Sequence, residues 1–137
     1  MVQRVARAKP LGRRGARLLV VDDEPVVVRV LQRVLAGHEV VVAMNAKDAL
    51  GHVLAAPTFD LIFCDLMMPE MSGIQLHSEI SAAFPEQATR MVFLTGGTLD
   101  VDARAFLHSP ATRCLAKPFD VADLLALVGE IEIELEN

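Results

Sequence analysis

Five short apolar runs divide the chain, and each gives way within two residues to a polar or charged one. They cover residues 18–21, 39–43, 59–64, 90–94 and 113–116. Continuous aliphatic runs of this length, bounded by turn residues, are the pattern of strands buried on both faces. The segments between them carry helical stripes instead. Pro25 suits a first helical turn, and Val26, Val27, Val30, Leu31, Val34 and Leu35 then mark one helix face up to Gly37. Asn45 is placed to cap a helix over 46–55, and a third helix is expected over about 74–84, closed by Pro85. Thr98 or Asp100 can cap a fourth, with Val101, Ala105 and Phe106 as its apolar side. Asp120 can cap a fifth, with Val121, Leu124, Leu125 and Val128 as its core stripe. Residues 130–136 alternate with strand period while continuing a helix, which leaves their state open.

Strands alternating with helices of about ten residues predict an α/β fold, a parallel sheet covered on both faces. All strands then point the same way, so residues just past their ends converge on one edge of the sheet. Those residues are Asp22 and Asp23, Asp65, Thr95 and Lys117. Taken singly, each has a plain explanation: a helix-start acid pair, a loop carboxylate, an N-cap, an exposed lysine. Core packing alone does not explain their assembly. Clustered carboxylates repel unless a cation sits among them, and an all-oxygen set suits a hard ion such as Mg²⁺. Lys117 and Thr95 could hold two sides of a phosphoryl group while Asp65 attacks it, with Gly96 and Gly97 leaving the approach open.

Composition narrows the alternatives. With 53% apolar residues, 4% aromatic and no Trp or Tyr, the core must be aliphatic. Cys64 and Cys114 both fall in runs expected to be buried, where a reduced thiol is a small apolar filler; this and the lack of any run long enough to span a membrane predict a cytoplasmic protein. Six of the 13 basic residues lie within residues 1–17, which hold no acid. The remaining seven bases face 18 acids, leaving a body of net charge −11. Such a body argues against direct nucleic-acid binding and favours a site that wants a cation. The basic leader, broken by Pro10, Gly12 and Gly15, reads as a linker. His38, His52, His77 and His108 lack metal-ligand spacing, and Met67, Met68 and Met71 read as loop packing.

Asp22-Asp23, Asp65 followed by Leu-Met-Met-Pro-Glu-Met-Ser-Gly, Thr95-Gly96 and Lys117-Pro118-Phe119 resemble the receiver domains of two-component response regulators. The resemblance covers residues 17 to about 129. It implies a flavodoxin-like (βα)5 doubly wound sandwich with strand order 2-1-3-4-5. The implied division is a basic leader over 1–16, a receiver over 17–130 and an acidic tail over 131–137. Asp65 would accept phosphate, as 4-aspartylphosphate, from the phosphohistidine of a histidine kinase or a histidine phosphotransfer domain. Asp22, Asp23, Asp65 and the backbone carbonyl of Met67 would hold Mg²⁺, or Mn²⁺, while Thr95 and Lys117 bind phosphoryl oxygens. The family also implies slow self-catalysed hydrolysis tuned at Met67 and Gly97, without turnover of an external substrate. It implies a switching surface on the fourth helix, fifth strand and fifth helix, and a phosphorylation-linked homodimer.

One departure stands out: where many receivers carry Tyr or Phe, three residues before the lysine, this chain has Cys114. Residues 92–97, Phe106-Leu107 and residues 113–119 are also similar to receivers fused at the carboxyl end of hybrid histidine kinases, whose tether the leader would suit. With about seven residues after the fifth helix, output is expected through a partner or an upstream domain. Two other functions compete. A pseudo-receiver would bind partners without taking phosphate, and a dehalogenase-type phosphatase would want an acid where Met67 stands.

Overall fold

The computed structural model describes residues 16–97 and 99–136, with side chains to residue 129. The basic leader, Thr98 as a candidate cap, and the side chains of the acidic tail lie outside the described residues. Five parallel strands, β1 (Arg17–Val21), β2 (Glu39–Ala43), β3 (Leu61–Asp65), β4 (Met91–Thr95) and β5 (Arg113–Ala116), form one sheet in the order β2-β1-β3-β4-β5. The expected strand order is the observed one. The helices are α1 (Pro25–Val34), α2 (Ala46–Ala55), α3 (Gly73–Ala83), the single-turn α4 (Pro85–Ala88), α5 (Val101–Leu107) and α6 (Val121–Glu136).

Successive strand residues point to opposite faces, and that alternation divides the core in two. Leu18, Val20, Leu61, Phe63, Val92 and Leu94 pack under α1 and α6, meeting Val28, Leu31, Leu124 and Val128. Leu19, Val21, Ile62, Cys64, Met91 and Phe93 pack under α2, α3 and α5. On that second face the rings of His77, Phe93 and Phe106 meet with centroids 5.0–5.8 Å apart, joining α3, β4 and α5. Burial there pushes the His77 pKa below its ordinary value.

Several local expectations fail, for identifiable reasons. Cys114 is exposed, not buried, because β5 is an edge strand with cover on one side only. Val101 and Ala105 of α5 and Val121 and Leu125 of α6 face outward; Ala103, Leu124 and Val128 carry the burial. Phe59 precedes β3 instead of belonging to it, since the Asp60 carboxylate turns back to accept from the Arg17 N–H at 2.7 Å. Pro85 does close α3, but it also opens α4, whose Gln87 exchanges two hydrogen bonds of 3.0 Å with the Phe59 backbone. The alternating stretch left open is helical, as α6 runs on to Glu136.

Candidate functional site

The carboxyl ends of β1, β3, β4 and β5 meet at one edge, and local chemistry fixes each side chain there. Asp22 follows β1; its Oδ1 accepts the Glu24 N–H at 2.9 Å, turning the chain into α1, where Pro25 takes the first helical position. Asp65 ends β3 and repeats the device, with its Oδ1 accepting the Met67 N–H at 3.3 Å. Thr95 ends β4 half-buried, and its carbonyl accepts the Lys117 N–H. A cis peptide bond links Lys117 to Pro118.

Gly73 fixes the Asp65 loop from behind. Ser72 caps α3 in a reciprocal capping box with Gln75, and the Gly73 N–H donates to the Leu66 carbonyl at 2.9 Å. A Cβ at Gly73 would stand 2.6 Å from the Asp65 carbonyl oxygen and 2.9 Å from the Leu66 Cα, both backbone atoms that cannot swing aside. Gly73→Ala should therefore destabilise by about 1–3 kcal/mol, the range for overpacking. A urea midpoint equal to wild type would show that the loop yields.

Oxygen atoms of Asp22, Asp23 and Asp65 lie within 4.8 Å of one another, with Asp22 and Asp65 buried and Asp23 exposed. The Lys117 Nζ stands among them, 2.9 Å from Asp22 Oδ2, 3.5 Å from Asp65 Oδ1 and 2.7 Å from Glu24 Oε1. The site opens into a cavity of about 500 Å³, whose lining includes Asp23, Glu24, Asp65, Met67, Gly97 and Lys117.

Burial, then the charge on Asp22, push the Asp65 carboxyl up to about 6, against the opposing pull of Lys117 and the Met67 N–H. For Lys117, burial disfavours the charge, but Glu24, Asp22 and Asp65 outweigh it and hold the ammonium above its ordinary range. Cys64, beneath the site, is pushed well above the thiol range by burial and by the Asp65 and Asp22 charges, and its Sγ donates to the Asp65 carbonyl at 3.2 Å. It is packing, not a nucleophile.

The donor set fits a hard divalent cation. Asp22 Oδ2 is buried, and the Lys117 ammonium stands 2.9 Å from it as an ion-pair partner. A buried carboxylate oxygen with two more carboxylates beside it and one ammonium to balance them is suited to oxygen-seeking Mg²⁺ or Mn²⁺.

The response regulator receiver domain family model matches residues 18–129. The chain belongs to this family. As a receiver domain it is 33% identical over 114 residues to the transcriptional regulatory protein DltR of Streptococcus agalactiae serotype III, covering 82% of this chain and 50% of that protein. It is 30% identical over 117 residues to the response regulator ArlR of Staphylococcus aureus strain Mu50, covering 84% and 52%. The chain thus spans about half the length of these curated relatives. The crystal structure of a response regulator receiver domain protein from Clostridium thermocellum aligns with a TM-score of 0.75 at 26% identity, over 88% of this chain and 97% of that one. The chemotaxis protein CheY4 of Vibrio cholerae aligns at 0.72 and 26%, over 85% and 98%. No helix of the described receiver domain is long and apolar enough to cross a membrane.

Within the receiver domain, the residues singled out at the strand ends come together at one edge. Met67 lines the cavity two residues beyond Asp65. Two neighbours escaped notice in the sequence. They are Gly73, behind the Asp65 loop, and Glu24, on the Lys117 ammonium.

Proposed function

We propose that this receiver domain is a phosphorylation switch in which Asp65 takes a phosphoryl group from the phosphohistidine of a histidine kinase or histidine phosphotransfer domain. An Asp65 carboxylate oxygen forms the new bond to phosphorus as the phosphorus–nitrogen bond of the donor breaks, and the electron pair returns to the imidazole. Lys117 and Thr95 take the phosphoryl oxygens, stabilising charge where it gathers in the transition state. Asp22, Asp23, Asp65 and the Met67 backbone carbonyl hold Mg²⁺ or Mn²⁺. Bound there, the cation offsets the carboxylate charge and that of the incoming phosphoryl group. Slow hydrolysis of the acyl phosphate returns Asp65 to its resting state, and the surface of α5, β5 and α6 reports the change to a partner.

The observation that supports this most directly is the convergence of the buried Asp22 and Asp65 carboxylates on one ammonium, 2.9 and 3.5 Å from Lys117 Nζ, with Asp23 beside them. A packing role leaves that arrangement unexplained. The test is intact mass after incubation with acetyl phosphate, with Mg²⁺ or with a chelator. One phosphoryl adduct, dependent on Mg²⁺ and converted by hydroxylamine to a hydroxamate, is expected of an acyl phosphate. Well-folded protein that stays unmodified in Mg²⁺ would favour a pseudo-receiver that binds its partner without phosphate.

A further inference from the structure

We propose that Glu24 is a positioning residue of this site: it holds the Lys117 ammonium in the unmodified domain and competes with an incoming phosphoryl oxygen for it. The inference rests on the proposed phosphoryl transfer to Asp65.

Among the three carboxylates around the Lys117 Nζ, Glu24 is nearest, at 2.7 Å against 2.9 Å for Asp22 and 3.5 Å for Asp65. The hydrogen bond that the ammonium makes goes to Glu24, while Asp22 and Asp65 stand beside it as ion-pair partners at 2.9 and 3.5 Å. A phosphoryl oxygen that binds the ammonium competes with these carboxylates for it.

Exposure decides which one yields. The Asp22 side chain is fully buried, and pulling Lys117 away would strand its charge. Asp65 must stay, because it carries the phosphoryl group. The Glu24 side chain is 58% exposed, so water can replace the ammonium at little cost. Its backbone is pinned by the N–H bond to Asp22 and by Pro25 at the start of α1, and its side chain lines the cavity through which a donor enters. Glu24 thus competes with the phosphoryl group for the same cation. Its charge also faces an incoming anion, and an experiment must separate the two effects.

The experiment measures the initial rate of Asp65 phosphorylation by intact mass against acetyl phosphate concentration, at Mg²⁺ levels shown to be saturating for each protein. In this reaction the phosphorus–oxygen bond to acetate breaks, acetate leaves with the electron pair, and the bond to Asp65 forms. Wild type, Glu24→Gln, Lys117→Met and the double variant form a cycle. Glu24→Gln should reach its half-maximal rate at about two- to fivefold lower donor concentration, the scale of one exposed ion pair, with its maximal rate nearly unchanged. In the Lys117→Met background the same substitution should give no gain. An unchanged or higher half-saturation in Glu24→Gln overturns the proposal, and so does an equal gain in both backgrounds, which would mean charge repulsion alone. A wild type that forms no adduct removes the phosphoryl-transfer reading itself; a normal adduct with an indifferent Glu24→Gln removes only the role of Glu24.

Discussion

Asp65→Asn should abolish the phosphoryl adduct and, in metal-free buffer at pH 8, yield a domain more stable than wild type. The first effect follows from chemistry, because a neutral amide is a poor nucleophile and forms no acyl phosphate. The second follows from the raised pKa. Asp65 titrates near its ordinary value of 3.8 in the unfolded chain and at about 6 in the fold. Below about pH 4 it is protonated in both states and costs nothing. Between pH 4 and 6 the folded state binds the extra proton, so stability falls as pH rises, and above 6 the loss is complete. A shift of about two units corresponds to at most about 3 kcal/mol, and a gain of order 1–3 kcal/mol is expected for Asn at pH 8. Urea midpoints of both proteins in chelator at pH 4, 5, 6 and 8 should diverge across that window. Saturating Mg²⁺ should shrink the gap, since a cation that binds only the folded, ionised site stabilises wild type. Parallel curves at every pH would show that Asp65 ionises in the fold without penalty.

The long-range contacts of the site were the least legible in sequence. Asp22, Asp23, Asp65, Thr95 and Lys117 could be grouped because a parallel sheet puts all its strand ends on one edge, and that rule needs only the order of apolar runs. Asn45, Asp100 and Asp120 could be read as caps because capping is local: each accepts from the N–H three residues on. Glu24 and Lys117 are 93 residues apart, and no spacing rule links them. Their pairing exists only once β5 is laid beside β4 and the loop after it reaches α1. Gly73 opens α3, but the contact that requires glycine is with the Asp65 carbonyl, a tertiary contact.

The misplaced apolar residues share a different cause. A strand read as an apolar run is assumed to have neighbours on both sides, and β5 has one. Its residues alternate between half-buried and exposed, which puts Cys114 in solvent. Val121 and Leu125 fit a helical stripe on paper, yet α6 rests on Leu124 and Val128, and a seven-residue α5 buries only Ala103 fully. Periodicity locates a stripe to within about one position on a helix. On short helices at a sheet edge, that margin decides between core and surface.

Lys117→Ala should separate the structural role of this cation from its chemical one. The Lys117 side chain is 12% exposed, and its removal leaves the fully buried Asp22 without its counter-ion and Asp65 with a like charge beside it. Breaking a buried ion pair costs about 3–5 kcal/mol, and the lower end is expected here because Asp65 can relieve the repulsion by taking a proton. The loss should therefore be smallest at pH 5, where Asp65 is mostly protonated, and largest at pH 8. Mg²⁺ should restore much of the stability at pH 8, since it supplies positive charge to the same carboxylates. It should not restore phosphorylation: without the ammonium on the transferring oxygens, the rate in saturating Mg²⁺ should stay about 10²–10³ below wild type, the scale for losing one preorganised donor. Measuring urea midpoints and adduct formation on the same samples keeps the roles apart. A variant as stable as wild type in chelator would mean that Asp22 tolerates burial unpaired. Rate and stability recovering together in Mg²⁺ would reduce Lys117 to a placeholder for the metal, and Glu24 would then have nothing to hold back.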